Sequence, residues 1–261
     1  LPMGCVLTIA AAGSEMSNSS VITNEESGLK RGYRSDLSRQ RFAVLNPELT
    51  YTLPPYQTAN GAVDIMMHTM ERYFTSECDL LLTDALGEGL MRTVMECART
   101  LRDDPTNYAA RANMMWASSL SHNGLTGCGS VEDWASHQLQ HELGGMFDCS
   151  HGAGLAAVWP SWARYVMDAD YALFARFAVK VMGVAPAADE RETAERGVAA
   201  VELFFRSIGM PTNIRELGYE LSEAQIAELA EKCTNGRTRT VGGLKKLGYG
   251  DIVKIYEGAR G

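Results

Sequence analysis

Two clusters of possible metal ligands stand out: Asp64 and His68 in ANGAVDIMMHTMERYF, and His137, His141 and His151 in EDWASHQLQHELGGMFDCSHGAGLA. The chain has only five histidines, and three of them fall within the fifteen residues of the second cluster. One carboxylate with three imidazoles suits a divalent transition metal that keeps an open coordination position. Asp64 and His68 are four apart, so on a helix they project from one face about one turn apart. His137 and His141 share that spacing. Two such helices facing each other across a bundle can enclose a cation. Alone, an Asp-x-x-x-His pair is more often a helix-surface contact, and a His-x-x-x-His pair is more often structural. Together, in so histidine-poor a chain, they favour a metal site. Spacing points to His137 and His141 as the natural helical pair and leaves open which three histidines bind. The remaining histidine, His122, precedes the turn signal Asn123-Gly124 and reads as capping or solvated.

The elements that must position these residues divide the chain. Residues 1–55 alternate small, β-branched and turn residues in GCVLTIAAAGSEMSNSSVITNEESG, with a second β-like segment in RFAVLNPELT. This strand-and-hairpin region is too small to own a core. Pro54-Pro55 then punctuates the chain, and residues 56–261 read as helix almost throughout. Leu82, Leu86, Leu90, Val94, Cys97 and Leu101 form a stripe that ends at Asp103-Asp104-Pro105. Further helices are expected from Asn107 to Leu120 and from about Val131 to Leu143, with His151 following a Gly-containing turn. Residues 152–166 should bend near Pro160, which lacks a backbone donor. Val198, Val201, Phe204, Phe205 and Ile208 mark another helix, and Leu221 to Cys233 and Asp251 to Glu257 mark two more. The fold class is mainly α: a C-terminal helical bundle preceded by a β-hairpin and strand region.

Composition narrows the function classes. A net charge of −8 argues against nucleic acid or an anionic membrane surface as partner. No stretch approaches the roughly 18–20 apolar residues of a membrane-spanning helix, and no signal-peptide pattern opens the sequence. Cys5, Cys78, Cys97, Cys128, Cys149 and Cys233 show no CxxC spacing and read as reduced core thiols, which favours the cytoplasm. The sequence starts at Leu1 and enters LPMGCVLTIAAAGSE as though mid-domain, so a further N-terminal portion is expected.

Around these candidate ligands the chain resembles the iron-containing (group III) alcohol dehydrogenases, most of all their butanol dehydrogenase-like branch. The likeness runs through LPMGCVLTIAAAGSEMS, LNPELTYTLPPYQTANGAVDIMMHTMERYFT, SVEDWASHQLQHELGGMFDCSHGAGLAAVWPSWARY and DIVKIYEGA, nearly the whole chain. The ANGxVDxxxH and HELxxxxDxxHGAGLA segments are highly specific. The resemblance implies that Asp64, His68, His137 and His151 hold a divalent metal, Fe²⁺ or Zn²⁺. It moves His141 out of the ligand set to a place beside nicotinamide or substrate, where it could relay a proton as a catalytic group or serve as a packed neighbour. It implies that residues 1–55 are the end of an α/β dinucleotide-binding domain and 56–261 an all-helical metal domain, with the active site between them. LTIAAAGSEMS resembles a Thr-rich motif that lines the cofactor: Thr8 matches a threonine there, while Ala12 stands where threonine is usual. Leu49 and Thr50 resemble the part that touches the adenosine side.

The reaction so implied is hydride transfer between a primary alcohol such as butanol, or its aldehyde, and NADH or NADPH, in a homodimer. The family's glycine-rich pyrophosphate loop is expected upstream of this sequence, since AAGSE lacks its glycine density and Gly242-Gly243-Leu244 reads as a turn. Two other readings compete. One is a truncated module that binds metal but cannot hold the cofactor. The other is a helical metal-dependent hydrolase, which would have no need of the hairpin region. Of the neighbouring residues, Asp148, Trp134 and Phe147 could shape the pocket, Cys149 reads as inert, and Met66, Met67 and Met70 read as core.

Overall fold

The structure, a computed structural model, describes residues 2–76 and 80–261; Cys78 lies outside the described residues. The first fifty residues form two small two-stranded sheets. β1 (Gly4–Val6) pairs in parallel with β4 (Phe42–Val44), Cys5 opposite Ala43. β2 (Ser19–Asn24) and β3 (Leu29–Arg34) form an antiparallel hairpin, Val21 opposite Gly32. These strands leave Val6, Ile22, Tyr33 and Phe42 exposed, as the absence of a core of their own predicts. The hairpin leans on the helical body instead. The Arg31 guanidinium donates to Glu142 Oε1 at 2.7 Å and to the Lys232 carbonyl at 3.2 Å.

The helical body starts with α1 (Pro55–Tyr73), whose proline suits a first-turn position where the missing N–H costs nothing. α1 is buried from Thr58 to Tyr73, and a helix covered on all sides belongs at a core's centre. It packs on α2 (Leu81–Asp103), α3 (Tyr108–His122) and α5 (His151–Val166). α4 (Ala135–Phe147) lies beside α5 and α8 (Glu223–Cys233). α6 (Tyr171–Lys180) pairs with α7 (Glu190–Ser207), and α9 (Tyr249–Ala259) closes the body against α5 and α8. An aromatic group of Phe74, Trp159, Trp162, Phe174 and Phe177 fills one end of the core. Each such fully buried side chain contributes about 1.5–3 kcal/mol by leaving water.

Several expected boundaries shift, each for a physical reason. In α2 the stripe is buried from Leu90 to Leu101, but Leu82 is 74% exposed and Leu86 39%. The first turns of α2 instead turn Asp84 and Glu88 inward, where Arg176 of α6 donates to both at 2.6 and 2.8 Å. α4 begins at Ala135 rather than Val131: Trp134 is its N-cap residue, and the Asp133 carboxylate before it ties down the entry. One Asp133 oxygen accepts from the Ala135 N–H and the other from the Gly243 and Leu244 N–H groups. Trp134 between them takes a left-handed conformation, φ 61°. The turn before His151 is Asp148–Ser150, with Asp148 itself left-handed at φ 50°, so no glycine is needed there; Gly144 and Gly145 belong to α4. α5 runs through Pro160 without a break.

Candidate metal centre

The segment ANGAVD builds the site by docking α1 against two neighbours. Asn60 reaches across to α5, its Oδ1 accepting from the Ala153 N–H at 2.7 Å, so that a side chain of α1 caps the first turn of α5. Gly152 permits this approach, since a Cβ there would lie 2.2 Å from the Asn60 carbonyl. Gly61 does the same on the other side, where a Cβ would meet the Ala10 carbonyl at 2.1 Å. One turn beyond Asn60 stands Asp64, and His151 opens α5 directly before Gly152. The close helix contact therefore carries the carboxylate of α1 and the first imidazole of α5 together.

Asp64 sits at the middle of the cluster. Its Oδ1 lies 3.7 Å from His68 Nδ1, 3.9 Å from His137 Nε2 and 3.5 Å from His151 Nε2. The donor atoms of Asp64, His137 and His151 all lie within 4.8 Å of one another; His68 reaches Asp64 but stands outside that mutual set. Its ring stacks on His137 with centroids 4.8 Å apart. Asp64 Oδ1, His68 Nδ1 and His137 Nε2 are buried without a hydrogen-bond partner, a state that costs about 1–3 kcal/mol per group unless something else satisfies them. Metal–ligand bonds of about 2.0–2.2 Å at tetrahedral angles put neighbouring donors about 3.4 Å apart. A divalent cation fits this donor set.

The neighbouring groups settle which ring nitrogens face inward. Glu71, one helical turn past His68, accepts from His137 at both its backbone N–H (2.9 Å) and Nδ1 (2.8 Å). Gln140 Oε1 is the partner of His151 Nδ1. Both histidines thus commit Nδ1 to an acceptor and turn Nε2 toward Asp64. Arg72 donates to the carbonyls of His68 and Ser121 and lies 4.8 Å from the Trp134 ring centre, fixing the back of the cluster. Burial would raise the Asp64 carboxyl, but the surrounding imidazoles hold it well below the usual carboxylate range. Burial would lower His137, yet Asp64 and Glu71 outweigh it and hold that ring at about 9. His151 is pushed down to about 4, chiefly by burial, and His68 goes well below its ordinary value for the same reason.

The cluster opens on a cavity of about 740 Å³, a size that suits a small-molecule ligand. His68, His137, His141 and His151 line its floor, with Ala12, Ser14 and the β3 residues Lys30, Arg31 and Arg34 on the hairpin side. His141 is buried, its ring centre 5.8 Å from that of His151. Burial, adjoining imidazoles and the nearby Lys30 and Arg31 push it down to about 2, so it is neutral at neutral pH. Thr8 is exposed, Leu49 is 41% exposed, and Thr50 is buried with its hydroxyl donating to the Pro47 carbonyl; none of the three lines this cavity. Phe147 stacks on Tyr219 instead, whereas Trp134 lines the cavity.

Sequence reasoning misses several neighbours. His122, read as capping or solvated, lines the cavity with its ring centre 4.4 Å from that of His68. It arrives through the C-terminal turn of α3, which no spacing rule connects to α1. Glu71 has a local signal, being seven residues past Asp64 on one helix. Gln140, three past His137, offers a similar one.

Comparison with known proteins decides the family. Residues 58–260 match the model of the Fe-containing alcohol dehydrogenase family, C-terminal. This chain belongs to that family. It is 34% identical over 258 residues to NADH-dependent butanol dehydrogenase A of Clostridium acetobutylicum, covering 98% of the chain and 66% of that protein. It is 37% identical over 260 residues to an NADPH-dependent aldehyde reductase of Escherichia coli, covering all of the chain and again 66% of the relative. Among solved structures, NADH-dependent butanol dehydrogenase A of Thermotoga maritima superposes with a TM-score of 0.93 at 32% identity, over 100% of this chain and 66% of that one. The chain thus spans just under two thirds of the length of these relatives. Its mainly helical fold with a small strand region is the fold they share over that span.

Proposed function

We propose that this chain supplies the metal-holding, catalytic part of an NAD(P)-linked alcohol dehydrogenase or aldehyde reductase. The observation that carries the reading is the convergence of Asp64 Oδ1 with His68, His137 and His151 on the floor of a ligand-sized cavity, with Asp64 Oδ1, His68 Nδ1 and His137 Nε2 buried and unpartnered. The relatives' names, butanol dehydrogenase and aldehyde reductase, support a primary alcohol such as butanol and its aldehyde as substrates. In this reading residues 1–55 belong to the cofactor-binding side and 56–261 form the metal domain.

A divalent ion held by Asp64, His68, His137 and His151 would act as a Lewis acid on the substrate oxygen, and a bound nicotinamide would carry the hydride. The chain's own residues do the rest. Asp64 supplies the ligand set's only negative charge, so a dication there keeps a net positive field for an alkoxide. His141, neutral beside His151, can accept a hydrogen bond from a group in the cavity but, held down at about 2, carries no imidazolium proton at neutral pH. Trp134 and the hairpin wall the cavity and would orient a substrate within it. Fe²⁺ and Zn²⁺ both suit one carboxylate with three imidazoles. Thr8, Leu49 and Thr50 are proposed to meet the dinucleotide away from this cavity.

The same reading places the protein in a reducing compartment, the cytoplasm, as a homodimer. Cys5, Cys97, Cys128, Cys149 and Cys233 are free thiols. Among the described residues no helix is long and apolar enough to cross a membrane. The test is an assay of the natural gene product for metal-dependent reduction of butanal by NADH or NADPH. Activity lost on chelation, restored by Fe²⁺ or Zn²⁺ and absent from His151→Ala supports the reading. Reduction that persists after complete metal removal contradicts it.

A further inference from the structure

On the metal reading proposed above, on which this inference rests, the two histidines that turn Nε2 toward Asp64 are held by unlike groups. Behind His137 stands Glu71, whose carboxylate is 1% exposed. It grips the residue twice, through the ring Nδ1 at 2.8 Å and the backbone N–H at 2.9 Å. The Glu71 main chain adds a third hold, its carbonyl accepting from the Asp133 N–H at 2.7 Å just before α4 starts. The His137 side chain is 4% exposed. Behind His151 stands only the neutral amide of Gln140, and the His151 side chain is 31% exposed on the cavity.

We infer that Glu71 is the positioning residue of the metal centre: it fixes the ring plane and Nδ1–H tautomer of His137 and makes it the anchored ligand. His151, backed by Gln140, is the ligand that yields first. The physics is that of outer groups on metal ligands. A carboxylate accepting from Nδ1–H pushes electron density toward Nε2 and orients the ring in advance of binding, whereas an amide carbonyl does the second but less of the first. Glu71 also places a second carboxylate behind the site, outside the ligand set. The unequal backing has a use. A centre that must exchange substrate oxygen needs one side that can give, and the giving side is the exposed one that faces the cavity.

The test is metal binding by the purified chain, using Co²⁺ as the spectroscopic probe and Zn²⁺ in competition. Glu71→Gln keeps the shape and removes the charge. It should weaken Co²⁺ binding by about 10–100-fold and shift the cobalt d–d bands, while the far-UV circular dichroism of the metal-free protein stays that of the wild type. Gln140→Leu should lose less affinity than Glu71→Gln but release the metal faster than wild type. Should Glu71→Gln fail to fold, Glu71→Asp, which retains the charge one methylene further back, must still bind more weakly than wild type. Equal affinity in Glu71→Gln and wild type, or a larger loss in Gln140→Leu than in Glu71→Gln, overturns the inference. Absence of Co²⁺ binding by the wild-type chain would instead refute the metal reading on which it rests.

Discussion

The strand region before Pro54 and the helical body after it solve the problem of burial in opposite ways. α1 is covered on every side and carries Asp64 and His68 at its middle, so the first half of the proposed ligand set sits where nothing can shift without disturbing the core. The strand region exposes Val6, Ile22, Tyr33 and Phe42 and borrows its anchorage, through Arg31, from Glu142 and the Lys232 carbonyl. The contrast separates two tasks. Ligand geometry is assigned to the part of the molecule that is hardest to deform, and the exposed hairpin supplies the cationic wall of Lys30, Arg31 and Arg34. A site that must be both rigid at its metal and accessible to substrate can be built from such unequal halves.

The contrast is broken most forcefully in the core. Phe74→Ala, which empties the centre of the aromatic group, should cost about 3–5 kcal/mol by chemical denaturation, while Ile22→Ala in the hairpin should stay within about 0.5 kcal/mol. Comparable losses at both positions would show that the strand region is stabilised as the body is. Next comes Asp64→Asn. A binding free energy of about 10–16 kcal/mol shared among four ligands is about 3 kcal/mol each, so metal affinity should fall on the order of a hundredfold. Calorimetry reads this directly, and an unchanged affinity would remove Asp64 from the ligand set.

Asp133→Asn tests the carboxylate that ties down the start of α4. Its two oxygens accept three backbone N–H groups, and an amide must point a donor at one of them, for a loss of about 1–3 kcal/mol. Burial, with Glu71 adding to it, pushes the Asp133 carboxyl up to about 7. The native state therefore holds this proton where the unfolded chain has released it. The stability it contributes is full below about pH 4 and is lost as pH rises through about 7. The gap between wild type and Asp133→Asn should narrow across that window, and a gap that widens would contradict the assignment.

The smallest effect concerns protons at the metal. His137 is held at about 9, while His151 lies at about 4. Between about pH 5 and 9 the entering metal must displace one proton, from His137. Its apparent affinity should rise about tenfold per pH unit there. Calorimetry in buffers of different ionisation enthalpy should count one proton released at pH 7; none or two would refute this balance.

Much of this is legible in the sequence, and what is not has clear causes. The helices that carry long apolar stripes show themselves because burial of one face imposes a period of 3.6 residues. The start of α4 is hidden because its N-cap is a left-handed Trp134 with Asp133 holding the Ala135 N–H across it, a geometry that residue type does not advertise. Leu82 and Leu86 look like core by spacing, yet Arg176 draws Asp84 and Glu88 inward instead, a choice made by a partner about ninety residues away. In the site, helical spacing pairs Asp64 with His68 but also pairs His137 with His141. What turns His151 inward is the Asn60 cap and the Gly152 contact between α5 and α1, and such tertiary contacts leave no periodic trace. His122 escapes notice for the same reason.

In the proposed function the helical body gathers Asp64, His68, His137 and His151 around one cation. The most direct measurement is anomalous diffraction from crystals of the chain grown with Zn²⁺ or Co²⁺, with elemental analysis of wild type, His151→Ala and His141→Ala. A single peak is expected within about 2.0–2.2 Å of Asp64 and the three histidine nitrogens, one ion per chain, lost in His151→Ala and kept in His141→Ala. A peak bonded to His141 in place of His151, or metal lost in His141→Ala and kept in His151→Ala, would contradict it.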